Sequence, residues 1–91
     1  MENKSIYVIY DRNVEAFALK LAEGRPALAI TADEAHKTMD TVLDICRWLL
    51  AQGANRDAIV WAVGGGVTTD LVGFAASIYK RGVRYANYPT T

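Results

Sequence analysis

The stretch AIVWAVGGG, residues 58–66, decides the fold of this chain. Its first six residues are apolar without alternation, which is typical of a strand covered on both faces, as the strands of parallel sheets are. Three glycines then break the strand. From Val67 to Lys80 a helix is predicted, because apolar residues recur at helical spacing at Leu71, Phe74, Ala75 and Ile78. The stretch therefore predicts a strand and a helix joined by a glycine turn.

The residues before this stretch predict a similar alternation. Residues 5–11 are rich in β-branched and aromatic side chains, and residues 27–30 form a short apolar run, so both are predicted strands. A helix is predicted between them, with Asn13 as its N-cap and Gly24 as its end. The apolar stripe of this helix consists of Val14, Phe17, Ala18 and Leu21.

A second helix is predicted to begin at residues 31–34. Thr31 and Glu34 have the spacing of a capping box, with Asp33 as the alternative N-cap. Gly53 supplies the left-handed residue that ends the helix. Its apolar stripe is Met39, Val42, Leu43, Cys46, Leu49 and Leu50.

The last strand is predicted at residues 83–88, where Pro89 keeps Tyr88 extended. The order β-α-β-α-β-α-β predicts a parallel sheet with right-handed crossovers, a Rossmann-like doubly wound α/β fold. The sequence stops at Thr90 and Thr91, just past a strand, where such a fold normally continues into a loop and a helix. We therefore expect an incomplete domain from a longer protein.

The amino-acid composition argues against several classes of function. The 91 residues are 52% hydrophobic, which predicts one globular domain. Ten basic and ten acidic residues give a net charge of zero, which argues against a nucleic-acid partner or a polybasic membrane surface. Because the longest apolar run is too short to cross a membrane and Cys46 has no second cysteine to pair with, we expect a cytoplasmic protein.

The glycine turn is the first candidate binding site. Residues without a Cβ let backbone N–H groups approach a phosphate at the positive end of a helix, so a pyrophosphate would fit there. From Gly64 the spacing is G-x-G-x-x-Thr69, so the third glycine of the standard dinucleotide fingerprint is absent. A tight turn without a ligand is the alternative interpretation.

Charged residues at other strand ends extend this candidate site. Asp70 lies one turn into the helix and Asp11 ends the first strand, so either carboxylate can accept a hydrogen bond from a ribose or substrate hydroxyl, or be only a helix or turn residue. Glu34, His36 and Lys37 follow the second strand and would open onto the same edge. Glu34 and Lys37 can instead pair with each other, and His36 has no second ligand at metal-binding spacing.

A small basic cluster lies near the end of the sequence. Lys80, Arg81 and Arg84 flank the last glycine, Gly82. These cations are either solvated or meet an anionic group of a substrate or of a neighbouring subunit.

Several of these elements together resemble the 3-dehydroquinate synthase family. Residues 64–74 read GGGVTTDLVGF, residues 81–82 are Arg-Gly, and residues 89–91 are Pro-Thr-Thr. Residues 33–37, Asp-Glu-Ala-His-Lys, look like the family's G-E-x-x-K element. The match in residue type and order extends from the turn at residues 10–14 to the end of the sequence, and the combination is much more specific than a glycine turn alone.

This resemblance implies the NAD-binding N-terminal domain of a homodimeric enzyme of the shikimate pathway, the route to aromatic amino acids. Asp11 would lie near the adenosine, and Arg81 matches an arginine that reaches the substrate phosphate across the dimer interface. The positions that the resemblance assigns to NAD are Asp11, Asp33, Glu34, Lys37, Gly64, Gly65, Gly66, Val67, Thr68, Thr69, Asp70, Thr90 and Thr91.

The family's reaction converts 3-deoxy-arabino-heptulosonate 7-phosphate, a sugar-acid phosphate, to 3-dehydroquinate and phosphate. NAD oxidises an alcohol transiently, phosphate is eliminated, the ketone is reduced back, and the ring closes by an aldol step. A divalent metal, zinc or cobalt, polarises the oxidised oxygen. Its ligands, a glutamate and two histidines, belong to a C-terminal domain without a counterpart in these residues. We therefore expect no metal ligand, no catalytic residue and no synthase activity in these 91 residues alone.

One residue departs from the family pattern, and three alternatives stay open. Thr69 stands where a glycine commonly precedes the aspartate, so the loop must accommodate a β-branched side chain near the pyrophosphate. Related sugar-phosphate cyclases, which make inosose, valiolone or aminodehydroquinate products, share the motifs. Iron-type alcohol and glycerol dehydrogenases share the fold, although Val67 and the pair Gly73 and Phe74 favour the cyclases. The third alternative is a truncated, non-catalytic domain that binds NAD weakly or not at all.

Overall fold

The structure, a computed structural model, describes residues 5–90 and shows one parallel sheet with helices on both faces. The strands are β1 (Ile6–Asp11), β2 (Ala27–Ile30), β3 (Ile59–Gly64) and β4 (Arg84–Pro89), in the spatial order β2-β1-β3-β4. The helices are α1 (Glu15–Ala22), α2 (Met39–Ala51) and α3 (Gly66–Ile78). Short 3-10 turns occupy Arg12–Val14, Glu34–His36 and Tyr79–Arg81. The predicted doubly wound parallel α/β fold is confirmed.

The two central strands are buried on both faces. In β1, Ile9 faces the core formed with α2 and α3, whereas Val8 faces the core formed with α1. In β3, Val60 and Ala62 face α2 and α3, and Val63 faces α1. Each of the buried isoleucine and valine side chains contributes about 1.5–3 kcal/mol by leaving water. Burial on both faces explains why these strands read as continuous apolar runs.

The strand order creates a topological switch point between β1 and β3. The chain leaves β1 towards β2 on one side, with α1 on one face of the sheet. It then crosses back over β1 to β3, with α2 on the other face. The loops after β1 and β3 therefore leave in opposite directions and open a crevice at the carboxyl edge of the sheet.

The segment before α2 differs from the prediction. Asp33 caps a 3-10 turn, and its carboxylate accepts the backbone N–H of His36 at 2.9 Å. Lys37, with ψ of 72°, breaks the helical path, and α2 begins only after Thr38, whose hydroxyl caps it. The predicted capping box at residues 31–34 is wrong, because two short polar side chains each cap a separate turn.

The predicted stripe of α3 is only partly buried. Leu71 and Ala75 pack in the core, but Phe74 is 48% and Ile78 is 42% exposed. The helix packs on the sheet through the small residues Ala75 and Ala76 instead. Since small side chains allow the helix axis to approach the sheet, the large residues on the neighbouring stripe are left at the surface.

The stripes of α1 and α2 differ in the same way. Phe17 of α1 is 52% exposed, and Ala18 beside it is fully buried. In α2, Met39 is 50% and Leu50 is 62% exposed. Ile45, which the predicted stripe omits, lies in the centre of the core. The sequence predicts that Gly53 ends α2 as a left-handed residue, and the structure confirms this, because Gly53 has a positive φ of 79°.

Candidate functional site

The carboxyl ends of β1 and β3 meet at the switch point. Asp11 ends β1, and its carboxylate accepts the N–H of Asn13 at 2.9 Å, so Asp11 caps the next turn and the predicted N-cap Asn13 does not. Gly64 ends β3 beside it. A Cβ at Gly64 would lie 2.5 Å from the Oγ1 of Thr68 and 3.1 Å from the Cβ of Asp11. Only a residue without a side chain fits there.

The N-terminus of α3 opens directly from this junction. Gly65 is the N-cap and provides no side-chain hydrogen bond, so the first-turn N–H groups have no side-chain acceptor. The space beside Gly66 is open, because no atom lies within 4 Å of where its Cβ would be. An uncapped N-terminus of a 13-residue helix carries partial positive charge. These features suit the binding of an oxyanion.

Thr68 places an unusual hydroxyl beneath this turn. The residue is 1% exposed, and in the described part of the chain its Oγ1 has no hydrogen-bond partner. A buried hydroxyl without a partner costs about 1–3 kcal/mol. The sequence places Thr68 at the start of the predicted helix, and the family resemblance assigns it to NAD, but no signal in the sequence shows that its hydroxyl is buried.

An ion pair joins the segment before α2 to the second turn of α3. The Nζ of Lys37 lies 3.0 Å from Oδ2 of Asp70, and both side chains are partly exposed. The hydrogen bond and charge of Asp70, with a smaller effect of Glu34, raise the pKa of Lys37. The alternative pair of Glu34 with Lys37 is not among the ion pairs of residues 5–90. A cavity of about 250 Å³ lies beside this pair, between Met39 and Phe74.

The remaining candidates of this edge lie around the same junction. The N–H of Thr90 donates to the carbonyl of Gly64 at 3.3 Å, which brings the end of β4 to the glycine turn. Val67 packs against the core and Thr69 is half-buried in the first turn of α3. Thr91 lies outside the described residues.

Asp33 and His36 form a separate pair after β2. The Nδ1 of His36 lies 2.7 Å from Oδ1 of Asp33, and both side chains are 55% exposed. Hydrogen bonds from His36, first through its side chain and then through its backbone, lower the pKa of Asp33. This pair caps the turn before α2, and among residues 5–90 neither side chain has a hydrogen bond or ion pair with Gly64 or Asp70.

Arg81 lies at the opposite edge of the sheet. It belongs to the turn that precedes β4, whereas the glycine turn follows β3, and the strands are parallel. The structure therefore does not bring Arg81 together with the other candidates within one chain. Its side chain is exposed.

The described residues do not fit a metal ion. Between residues 5 and 90 there is no group of three histidine, cysteine, aspartate or glutamate side chains that could hold one. None of the helices in the described part of the chain is long and apolar enough to cross a membrane.

The sheet is parallel, an uncapped glycine turn lies at its switch point, and acidic residues surround that turn. These features define a doubly wound α/β domain with a crevice of the dinucleotide-binding type. The family model for the N-terminal part of 3-dehydroquinate synthase matches residues 27–91. The chain is 43% identical over 86 residues to 3-dehydroquinate synthase of Clostridium tetani. The matched region covers 94% of this chain and 22% of that protein. The chain is also 42% identical over 91 residues to the pentafunctional AROM polypeptide of Kluyveromyces lactis, covering 98% of this chain and 6% of that protein. The chain belongs to the 3-dehydroquinate synthase family, as the sequence resemblance predicts.

Solved structures show the same fold in related cyclases. A 2-epi-5-epi-valiolone synthase from Streptomyces hygroscopicus, with NAD⁺ and Zn²⁺ bound, matches with a TM-score of 0.86 and 34% identity over 97% of this chain and 28% of that chain. A 2-deoxy-scyllo-inosose synthase, in complex with carbaglucose-6-phosphate, NAD⁺ and Co²⁺, matches with a TM-score of 0.81 and 28% identity over 96% of this chain and 26% of that chain. The chain thus spans about a quarter of the length of these two structures and of the Clostridium tetani enzyme, and 6% of the AROM polypeptide.

Proposed function

We propose that residues 1–91 are the NAD-binding N-terminal domain of a 3-dehydroquinate synthase. The observation that carries this proposal is the uncapped N-terminus of α3 at the switch point, behind Gly65 and Gly66 and beside Asp11. Backbone N–H groups there can donate to a pyrophosphate without interference from a side chain. The two related cyclase structures contain NAD⁺, which supports the choice of this dinucleotide.

The side chains around the turn would hold the two nucleoside parts. Asp11 and Glu34 lie after β1 and β2, where their carboxylates can accept hydrogen bonds from ribose hydroxyls. Lys37 is a cation at neutral pH, as lysines ordinarily are, and its ion pair with Asp70, which raises its pKa further, would hold that charge near the phosphates. Thr90 would close the crevice from the end of β4, together with Thr91. Asp33 would act by positioning the turn that carries Glu34.

The whole enzyme would convert 3-deoxy-arabino-heptulosonate 7-phosphate to 3-dehydroquinate and phosphate in the cytoplasm. Bound NAD supplies the reversible oxidation of an alcohol. The metal would be held by residues outside this chain, since the described residues do not fit one. Arg81 would reach the substrate phosphate of a partner subunit in a homodimer, and its exposed position away from the crevice is consistent with a role outside its own chain.

A related cyclase activity is the second candidate, because the two solved structures make valiolone and inosose products. The higher identity to the Clostridium tetani dehydroquinate synthase favours the first candidate.

Calorimetric titration with NAD tests the proposal. The 91-residue chain should bind NAD, and Asp70→Ala and Gly65→Val should each weaken binding by about tenfold or more, the loss expected for a charged hydrogen bond or a blocked phosphate. The backbone at Gly65 is extended, with φ of −91° and ψ of −158°, a conformation that valine adopts without strain, and circular dichroism verifies that the variant folds. Asp44→Ala is the matched control, because Asp44 pairs with Arg47 on the surface of α2.

No binding at millimolar NAD, or unchanged affinity in both variants, would refute this site. In a phosphate-release assay with the sugar-acid phosphate substrate, the folded chain alone should show no turnover, and release above background would contradict the proposed division of the enzyme.

A further inference from the structure

We propose a second anion-binding site at the amino-terminal edge of the sheet, where Arg56 and Arg84 would hold a phosphate monoester. This site lies at the opposite edge from the glycine turn and does not depend on the proposed NAD site.

The geometry provides a cavity between two neighbouring strand starts. Ile59 of β3 pairs in register with Arg84 of β4, so the segments before both strands lie side by side. A cavity of about 380 Å³ between them is lined by Arg56, Asp57, Ala58, Gly82 and Arg84. Its size is at the lower end of the range for small-molecule sites.

The charge of this edge is strongly positive for a chain of zero net charge. Arg56, Lys80, Arg81 and Arg84 are exposed, and Asp57 is the carboxylate that accompanies them in the cavity. None of these four cations takes part in the ion pairs found within residues 5–90. Arg12 and Lys20 are likewise outside these ion pairs, whereas Arg25, Arg47 and Lys37 each have a carboxylate partner. The excess of positive charge around the cavity favours an anionic ligand there, and Arg56 and Arg84 are the two cations that line it.

The turn that brings Gly82 to the cavity has a strained conformation. Lys80 and Arg81 both have left-handed backbone angles, with φ of 46° and 69°, and Gly82 follows with φ of 109°. Left-handed geometry costs a non-glycine residue about 1–2 kcal/mol. The turn is fixed by the N–H of Gly82, which donates to the carbonyl of Tyr79 at 2.7 Å, and by the buried hydroxyl of Tyr79, which donates to the carbonyl of Ala54 at 2.8 Å. Strain held in this way is typical of ligand sites.

The residue types select the ligand. Two guanidinium groups offer planar pairs of donors that match a phosphate. Gly82 leaves its wall free of a side chain, so the ligand can approach the backbone. Asp57 repels the phosphate but accepts a hydrogen bond from a hydroxyl, so a phosphate monoester with a free alcohol can place its phosphate on the guanidinium groups and its alcohol on the carboxylate.

Amide shifts in a ¹H–¹⁵N NMR titration with glycerol 3-phosphate test this site, with sodium chloride added to keep the ionic strength constant. The amides of Ala58, Gly82 and Arg84 should shift along a saturable curve. The double variant Arg56→Gln/Arg84→Gln should weaken binding by about tenfold or more. Arg47→Gln, which removes another surface arginine, should leave the curve unchanged.

Shifts that stay linear in ligand, or that persist in the double variant, would overturn the proposal. Because both arginines are exposed, the double variant should fold as the wild type does, which circular dichroism verifies. Its affinity for NAD should also be unchanged, so failure at this edge is distinguishable from failure of the NAD site.

Discussion

Gly64 is the residue at which the packing of the switch point can be tested most sharply. In Gly64→Ala, the new Cβ would lie 2.5 Å from Oγ1 and 2.8 Å from Cβ of Thr68, and 3.1 Å from Cβ of Asp11. Thr68 is buried and β-branched, so its χ1 angle is stiff, and Asp11 is held by its hydrogen bond to Asn13. Neither neighbour can move away cheaply.

Overpacking of this kind costs about 1–3 kcal/mol, and the two fixed neighbours place Gly64→Ala near the upper end. For a domain of this size, about 2–3 kcal/mol corresponds to a loss of about 8–24 °C in Tm. Gly66→Ala is the matched control, because no atom lies within 4 Å of its Cβ, and it should stay within about 0.5 kcal/mol of the wild type.

Urea denaturation followed by circular dichroism measures the difference, with thermal melts as a second readout. Adding Thr68→Ala to Gly64→Ala should recover part of the stability, because it removes the contact with Oγ1 but leaves the contact with Cβ. Equal stability of Gly64→Ala and Gly66→Ala would refute the argument that the junction is rigidly packed.

Three further predictions concern single groups. Thr68→Val should raise Tm, because it removes a buried hydroxyl that has no partner; a clear loss of stability in thermal melts would show that this hydroxyl is paired in solution. Hydrogen bonds from His36 lower the pKa of Asp33 below its ordinary 3.8, so their stabilisation is complete above that value and is lost as pH falls through the folded pKa. Urea midpoints of the wild type and Asp33→Asn should therefore differ at neutral pH and converge below about pH 3.8, and a constant difference would contradict this. Burial raises the pKa of the Cys46 thiol, which lies 3.8 Å from the carbonyl of Ala75, so iodoacetamide should modify it about tenfold more slowly in the folded chain than in urea; equal rates would contradict its burial.

The strands were predictable because their signal is local. Residues 58–63 are apolar without alternation, and the structure buries β3 on both faces. The spatial order of the strands was not predicted, because each strand carries the same kind of signal whichever neighbour it pairs with. The order depends on which face each connecting helix covers.

The helices show where periodicity fails. Phe74 and Ile78 have the spacing of a core stripe, yet Ala75 and Ala76 pack against the sheet. In an apolar helix more than one stripe satisfies the spacing, and only the shape of the opposing sheet decides between them. The predicted start of α2 was wrong for a different reason. Asp33 and Thr38 both have a side chain that can cap a helix, and the sequence does not show which of them begins α2.

The candidate site was partly predictable. Strand ends and the glycine turn placed Asp11 and Asp70 at one edge from topology alone. The pair of Lys37 with Asp70 was not predicted, because these residues are far apart in sequence and meet only when α2 and α3 pack side by side. The buried hydroxyl of Thr68, which has no hydrogen-bond partner among the described residues, was also not predicted, because the burial of a side chain depends on the residues packed around it.

A crystal structure of this chain grown with NAD would test the central claim most directly. We predict the pyrophosphate against the backbone of Gly65 and Gly66 at the N-terminus of α3, with a ribose beside Asp11. Two results would contradict the proposal that this edge of the sheet is the NAD site. One is a dinucleotide bound elsewhere, such as in the cavity between Met39 and Phe74. The other is a crystal grown at saturating NAD that has no dinucleotide at the glycine turn.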